Sequence, residues 1–361
     1  MTNQFEEYQI EKKNQAVTIR RCYVCGGVIE IPEEINGYPV EEIGDYAFSA
    51  YGPVGEEDAS VCGAKLEEII LPKTIKRIGK YAFYGCSRLE KISFYSNISD
   101  IGAGAFTGCH RVSELDATLV AGEKSCLREL LLELREKQSV SLHAVEGEAK
   151  LVFPEFFEEA VENTPARILE THTHGSGMWY RNCFIQTEVQ FDLYDKRFPW
   201  AKEDEKQEVI LEMAFGRLLY PIGLHKEAEQ KYKEFLTEYF EEACLWAFSR
   251  ESLQETKYLA REIAKEKAMM QQMIHIAGKQ RKEEIFSYLM NEEHERYPSG
   301  KKINFCYRAG EENGKRMECT AKGAAERIGK DRNLHGSLGA GKTGTICLHA
   351  VFSCCIKQIG I

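Results

Sequence analysis

No run of eighteen apolar residues occurs in this chain, so no segment is long enough to cross a bilayer as a helix. Positive charge is scarce too: 47 Lys and Arg stand against 57 Asp and Glu, a net charge of −10 at pH 7. A dedicated nucleic-acid binder must offer the phosphates a basic footprint, and this balance argues against one. The opening residues, 1–13, are polar and lack the apolar core of a secretory signal. Cysteine is not lacking, at thirteen, but the residues are scattered and odd in number. These features point to reduced thiols in a cytosol rather than to a disulfide framework. What is present is a soluble chain of 361 residues, 43% hydrophobic and 29% charged, with room for about two domains.

The strongest positive signal is self-similarity at a fixed period, the interval of twenty-three positions that separates Leu66 from Leu89. Ile69/Ile92, Leu71/Phe94, Ile75/Ile98, Ile78/Ile101, Gly79/Gly102, Phe83/Phe106 and Cys86/Cys109 are separated by the same interval. A further start follows at Val112 and Leu115, after which the pattern stops. Upstream, Val40, Ile43, Gly44, Ala47 and Phe48 fit the second half of the same template, displaced by one period and a further twelve positions. The extra length falls in a Gly- and acid-rich loop at 49–65. Each unit reads as one coil of a solenoid. Ile69 and Leu71 alternate with Ile70 as a strand, Ile75 and Ile78 turn inward, and Ala82 and Phe83 plug the coil. Gly79 and Gly85 are expected to relieve the backbone at turns. One coil cannot bury its own apolar face, so coils must stack, with Phe48, Phe83 and Phe106 in one ladder and Cys86 with Cys109 in another. About three coils are expected.

The segments IPEEINGYPVEEIGDYAF, LPKTIKRIGKYAFYGC and ISDIGAGAFTGC resemble the BspA-type leucine-rich repeat family, over roughly residues 17–115. The length of the unit, the Ile-Gly-x-x-Ala-Phe core and the Gly-Cys ending carry the likeness. The resemblance implies a bacterial-type binding module, often a surface protein engaged in adhesion or protein recognition, and not an enzyme. The polar start of the chain departs from the export that surface adhesion needs. The outward row of the repeat strand is the expected binding surface: Glu30, Ile70 and Ser93, flanked by Glu68, Lys91 and Tyr95. The 49–65 loop is a second candidate, because insertions in solenoids map to one edge.

Beyond the repeat the period becomes helical. Leu127, Leu130, Leu131 and Leu134 form a stripe within 122–138, expected to close the open end of the solenoid. Residues 139–149 read as an irregular linker and 154–170 as an acidic helix. Amphipathic helices are expected at 204–220, 225–249, 252–277 and 282–295, arranged as helix hairpins. Met269, Met270 and Met273 read as core packing ahead of an adaptable groove. The stretch 298–361 holds eleven Lys or Arg against five Asp or Glu and ten of the 29 glycines, which marks a boundary. The expected architecture is therefore α+β: a leucine-rich-repeat β-solenoid at 1–118, an α-helical domain at 119–297, and a basic, flexible Gly-rich tail at 298–361.

Candidate chemistry is thin. Gly336 to Thr343 matches G-x-x-x-x-G-K-[ST], but the preceding residues are polar and only a short segment follows, so the match reads as coincidence. Cys22 and Cys25 form a lone CxxC with no second pair to complete a zinc site. His172, His174 and Cys183 would hold a metal only if folded together, and Ser176 lacks the G-x-S-x-G spacing of a nucleophile elbow. The expectation is a cytoplasmic, non-enzymatic interaction module for another protein, with no cofactor, nucleic acid or membrane. The alternatives are a metal-binding or hydrolytic site between His172 and Cys183, and a surface adhesin.

Overall fold

The computed structural model describes residues 8–23, 26–51, 63–163 and 168–298. The chain forms two compact units, Met1–Ala247 and Phe248–Ile361. The front of the first unit is a β-solenoid of about five turns. It opens with an antiparallel hairpin, β1 (Tyr8–Lys13) and β2 (Ala16–Cys22). Then come β3 (Val28–Glu30), β4 (Glu34–Ile35), β5 (Tyr38–Ile43), β6 (Glu68–Ile70), β7 (Arg77–Ile78), β8 (Lys91–Tyr95), β9 (Asp100–Ile101) and β10 (Glu114–Thr118). Helix α1 (Leu127–Glu133) and strands β11 (Gln138–Ala144) and β12 (Gly147–Phe153) complete it. One sheet runs β1-β2-β5-β7-β9, with β4 pairing β5, and the other β12-β11-β10-β8-β6-β3. From β3 to β11 every pairing in the second sheet is parallel, as successive coils require.

The ladder between coils is built from three contacts. Phe83 lies between Phe48, 5.2 Å away, and Phe106, 5.0 Å away, with ring planes inclined by 21° and 5°. The Cys86 thiol donates to the Phe48 carbonyl at 3.2 Å, and the Cys109 thiol to that of Phe83 at 3.1 Å. The third contact corrects the turn role expected for Gly79. A Cβ there would sit 2.5 Å from the Asp45 backbone nitrogen, and one at Gly102 would sit 2.4 Å from that of Lys80. The glycine of the Ile-Gly motif is therefore needed because successive backbones touch. Gly85, with φ of +74°, does serve a left-handed turn, and the Tyr51 ring packs over it.

Three expectations are corrected between 115 and 174. The solenoid does not end at Leu115: β11 continues it, with Leu115 paired to Val140 and Ala117 to Leu142. The step from Leu115 to Val140 is two positions longer than that from Ile92 to Leu115, because α1 replaces the Ala-Phe turn. A search at fixed period therefore loses the coil. The 139–149 segment is thus strand and hairpin rather than linker. Residues 154–170 are not a helix either, since β13 (Phe157–Asn163) pairs antiparallel with β14 (Ile168–His174). There Glu158 and Ala160 of β13 face the β-branched Thr173 and Thr171 of β14.

Helix α1 covers the end of the phenylalanine ladder, while the second sheet, contrary to expectation, continues past it to β11 and β12. In earlier coils the Phe48 and Phe83 amides donate to the next coil at 2.7 and 2.8 Å. The Phe106 amide donates instead to the Glu133 carboxylate at 3.3 Å. Burial raises the Glu133 pKa above 4.5, partly offset by the amides of Phe106 and Ala105. The chain end of α1 is held by Arg181, which is fully buried. Its guanidinium donates to the carbonyls of Leu131 at 2.6 Å, Leu134 at 2.8 Å, Glu136 at 2.9 Å and Gly177 at 3.2 Å, and to that of Pro154. Burial lowers its pKa to about 10, against an opposing pull from Glu136.

The rest of the first unit is mainly helical: α2 (Gly177–Arg181), the hairpin β15 (Phe184–Ile185) and β16 (Glu188–Val189), then α3 (Phe191–Lys196), α4 (Phe198–Asp204), α5 (Gln207–Leu219), α6 (Lys226–Glu238) and α7 (Phe240–Ser249). The single helix expected at 225–249 is broken at Tyr239, whose backbone leaves the helical region. A buried ion pair ties these helices. Arg217 donates to both Asp195 oxygens at 2.8 and 2.9 Å, and the Tyr232 hydroxyl donates to Asp195 at 2.8 Å. The described part of the second unit holds α8 (Leu253–Tyr258), a π-helical turn (Leu259–Ile263), α9 (Lys267–Lys279) and α10 (Glu283–Arg296), so the helix expected at 252–277 is interrupted. Met270 and Met273 are fully buried, as core packing requires.

Candidate functional site

The outward face of the second sheet gathers all six residues proposed from the sequence. Strand alternation turns Ile29, Ile69, Ile92, Leu115 and Val140 into the core and their neighbours outward. The register then aligns the outward residues in rows. Glu68, Lys91, Glu114 and Ser139 form one row, and Glu30, Ile70, Ser93, Asp116 and Ser141 the next. Tyr95, Thr118 and His143 form a third. Most of these side chains are half-buried, whereas Glu30 and Glu114 are exposed.

Electrostatics within the face are partly settled already. Lys91 Nζ lies 2.9 Å from Glu68, whose hydrogen bond raises the lysine pKa against the opposing effect of burial; Asp116 and Glu114 add to the rise. His143 sits between Asp116 and Glu148, at 3.0 and 3.3 Å. One end of the face is occupied. Glu212 of α5 accepts from the Ser139 hydroxyl and from Lys137 at 2.7 Å, and Gly216 brings α5 against the Lys150 backbone of β12. The open part is therefore β3, β6, β8 and β10 with the outer rows of β11.

Sequence reasoning missed Glu114, Asp116, Thr118, Ser141 and His143, which extend the same rows. A signal was available: Gln-Ser-Val-Ser-Leu-His-Ala at 138–144 alternates polar and apolar residues as a half-buried strand does. Most of the 49–65 loop lies outside the described residues, as do Cys25, the 336–343 match and all of the tail beyond Pro298.

The alternative site between His172 and Cys183 does not come together. His172 and His174 are exposed on β14, 3.6 Å from Glu170 and 3.3 Å from Glu159. Cys183 is 1% exposed, its thiol donates to the Trp179 carbonyl at 3.4 Å, and burial pushes its pKa up to about 11. Ser176 is buried with its hydroxyl unpaired rather than bonded to His174. Among the described residues no three His, Cys, Asp or Glu side chains are grouped to hold a metal. The strongly shifted groups are buried and structural: Tyr194, for example, accepts from the Val152 amide and donates to its carbonyl, and burial drives its pKa upward. Among the described residues no helix is long and apolar enough to cross a membrane.

Comparison with known families agrees with the repeat. Residues 57–127 match the BspA type leucine rich repeat region, in six copies. None of the curated proteins matches the chain. Among solved structures, it is similar to a leucine rich cell surface protein from Faecalibacterium prausnitzii, with 24% identity over 33% of this chain and 36% of that one and a TM-score of 0.25. The leucine rich repeat protein of T. pallidum gives 21% identity over 31% of this chain and 69% of that one, with a TM-score of 0.21. A leucine-rich repeat protein from Bacteroides ovatus gives 25% identity over 31% and 29%, with a TM-score of 0.24. The chain spans about a third of the length of the Faecalibacterium protein.

Proposed function

Taking a BspA-type leucine-rich repeat as the premise, we propose that this protein is a non-enzymatic recognition module that binds another protein through the outward face of β6, β8 and β10. The observation that carries the reading is the register: Glu68, Ile70, Lys91, Ser93, Tyr95, Glu114 and Asp116 stand in straight rows on a rigid sheet. Such a face offers a broad array of charged, hydroxyl and aromatic groups fixed by the core beneath them, which lowers the ordering cost of binding. No cofactor enters this reading. A cytoplasmic setting is favoured by the thiols of Cys86 and Cys109, which need their hydrogens to serve the ladder carbonyls.

Affinity capture with the full chain and with the double variant Ile70→Arg, Ser93→Arg tests it. A partner retained by the wild type and lost by the variant, at unchanged melting temperature, is the expected result. Equal capture by both proteins, or no specific capture at all, would overturn the assignment.

A further inference from the structure

Two of the three tryptophans in the chain lie on the surface of the first unit, 57% exposed at Trp179 and 60% at Trp200. Each is displayed by a short element anchored on its other side. In α2, Tyr180 and Arg181 are buried, Arg181 in its cage of carbonyls, which leaves Trp179 facing out. In α4, Phe198 packs 4.3 Å from Tyr232 and 5.6 Å from Phe235, which leaves Trp200 facing out. Between them stands Arg197, its guanidinium 5.4 Å from the Trp179 ring and 6.0 Å from that of Trp200. Leu193, also exposed, lies one turn before Arg197 and widens the apolar margin.

Arg197 has no ion pair among the described residues. The nearby carboxylates are committed elsewhere: Asp195 to Arg217 and Tyr232, and Glu205 to the Ser176 amide at 2.9 Å. The Cys183 thiol beside it stays protonated at neutral pH, because burial raises its pKa to about 11 even against the pull of Arg197. The guanidinium is half-buried, hydrogen-bonded to the Cys183 thiol and set beside two indole faces, and its remaining N–H groups suit a planar acceptor. Trp and Arg clustered on rigid elements are also the residue types that dominate binding energy at interfaces.

We propose that Trp179, Arg197 and Trp200 form a second docking surface, separate from the sheet face, for an acidic peptide segment. A partner Glu or Asp would pair with the guanidinium edge, and its apolar neighbours would lie on the indoles. A carboxylate matches the guanidinium fork in two parallel hydrogen bonds, and the two exposed indoles require apolar residues beside the charge. The assignment does not depend on the sheet-face reading.

Fluorine NMR of the full chain labelled with 5-fluorotryptophan tests it, since each of the three tryptophans gives its own signal. The probe is a blocked peptide alternating leucine and glutamate. The Trp179 and Trp200 signals should shift on titration while that of Trp246, stacked on Phe215, stays in place. Arg197→Gln should weaken binding at least tenfold, about 1.4 kcal/mol, and Arg197→Lys by less. The Trp246 signal shows that each variant is folded. Equal binding of the glutamine counterpart, indifference to Arg197→Gln, or absence of any shift would overturn the proposal. So would response to a phosphoserine peptide alone, or concentration-dependent shifts in the free protein, which would assign the patch to phosphate or to a second copy.

Discussion

Replacing Phe83 with alanine removes the middle ring of the ladder and should cost the first unit more than any other single truncation in the solenoid. Phe83 is fully buried and has a ring neighbour on each side, at 5.2 and 5.0 Å. Truncating a buried phenylalanine costs about 3–5 kcal/mol, from lost burial and the cavity left behind. Each aromatic pair adds roughly 0.5–1.5 kcal/mol beyond area, and the rigid backbone contact at Gly79 and Gly102 prevents neighbouring coils from closing the gap. The expected loss is therefore at the upper end, about 4–5 kcal/mol. For a unit of this size that corresponds to a melting point lower by roughly 8–20 °C. Urea unfolding followed by circular dichroism measures the loss. Tyr81→Ala is the control, because that ring also stacks, on Tyr46 at 5.3 Å, but at the surface. A double-mutant cycle with Phe106→Leu should give a coupling of about 0.5–1.5 kcal/mol. A loss under about 1.5 kcal/mol, or an equal loss for Tyr81→Ala, would refute the reasoning that stacked rings are the core of the coils.

Three further outcomes follow from the same geometry. Gly79→Ala places a methyl group 2.5 Å from the Asp45 backbone and should cost about 1–3 kcal/mol by urea titration, whereas Gly37→Ala, with open space around it, should lose only what its left-handed φ of +75° costs. Arg181→Met takes the guanidinium donor from the carbonyls of Leu131 and Leu134, leaves Glu136 only the weaker Gln138 amide, and should destabilise the first unit by about 3 kcal/mol, read as a lower urea midpoint with exchange of the 127–134 amides accelerated first. In the second unit, burial works against the charge of Glu292, but hydrogen bonds from Arg261, Tyr288 and Arg296 outweigh it and hold its pKa below 4.5. Its contribution is thus complete above pH 4.5 and is lost as pH falls through the lowered value, so Glu292→Gln should flatten acid unfolding of that unit below pH 4.5; an unchanged acid limb would contradict this.

The parts of the fold readable in advance were those in which one physical cause repeated. Ile69, Ile92 and Leu115 recur at equal intervals because each coil must present an apolar residue at the same depth, and Phe83 over Phe106 follows from that spacing. The fifth coil was missed because α1 lengthens the step between Leu115 and Val140, although the alternation in β11 is plain once phase is allowed to slip. The β13–β14 hairpin was missed for a different reason: Phe-Glu-Glu-Ala-Val-Glu has apolar spacing compatible with a helix, and only pairing with β14 decides for strand. The sheet-face residues were legible because side-chain direction alternates along a strand. The Arg197 patch was not, because Trp179 and Trp200 are far apart in the chain and nothing local marks either as exposed. The cage around Arg181 was hidden likewise, since its acceptors are backbone carbonyls 4 to 50 residues away.

Photo-crosslinking from single positions tests the recognition face most directly. A benzophenone side chain placed at Ser93, in the middle of the rows, should yield a discrete partner adduct in native lysate. The same group at Thr107, on the turn side of the solenoid, should yield none. Adducts of equal intensity from both positions, or from Thr107 alone, would contradict the placement of binding on β6, β8 and β10.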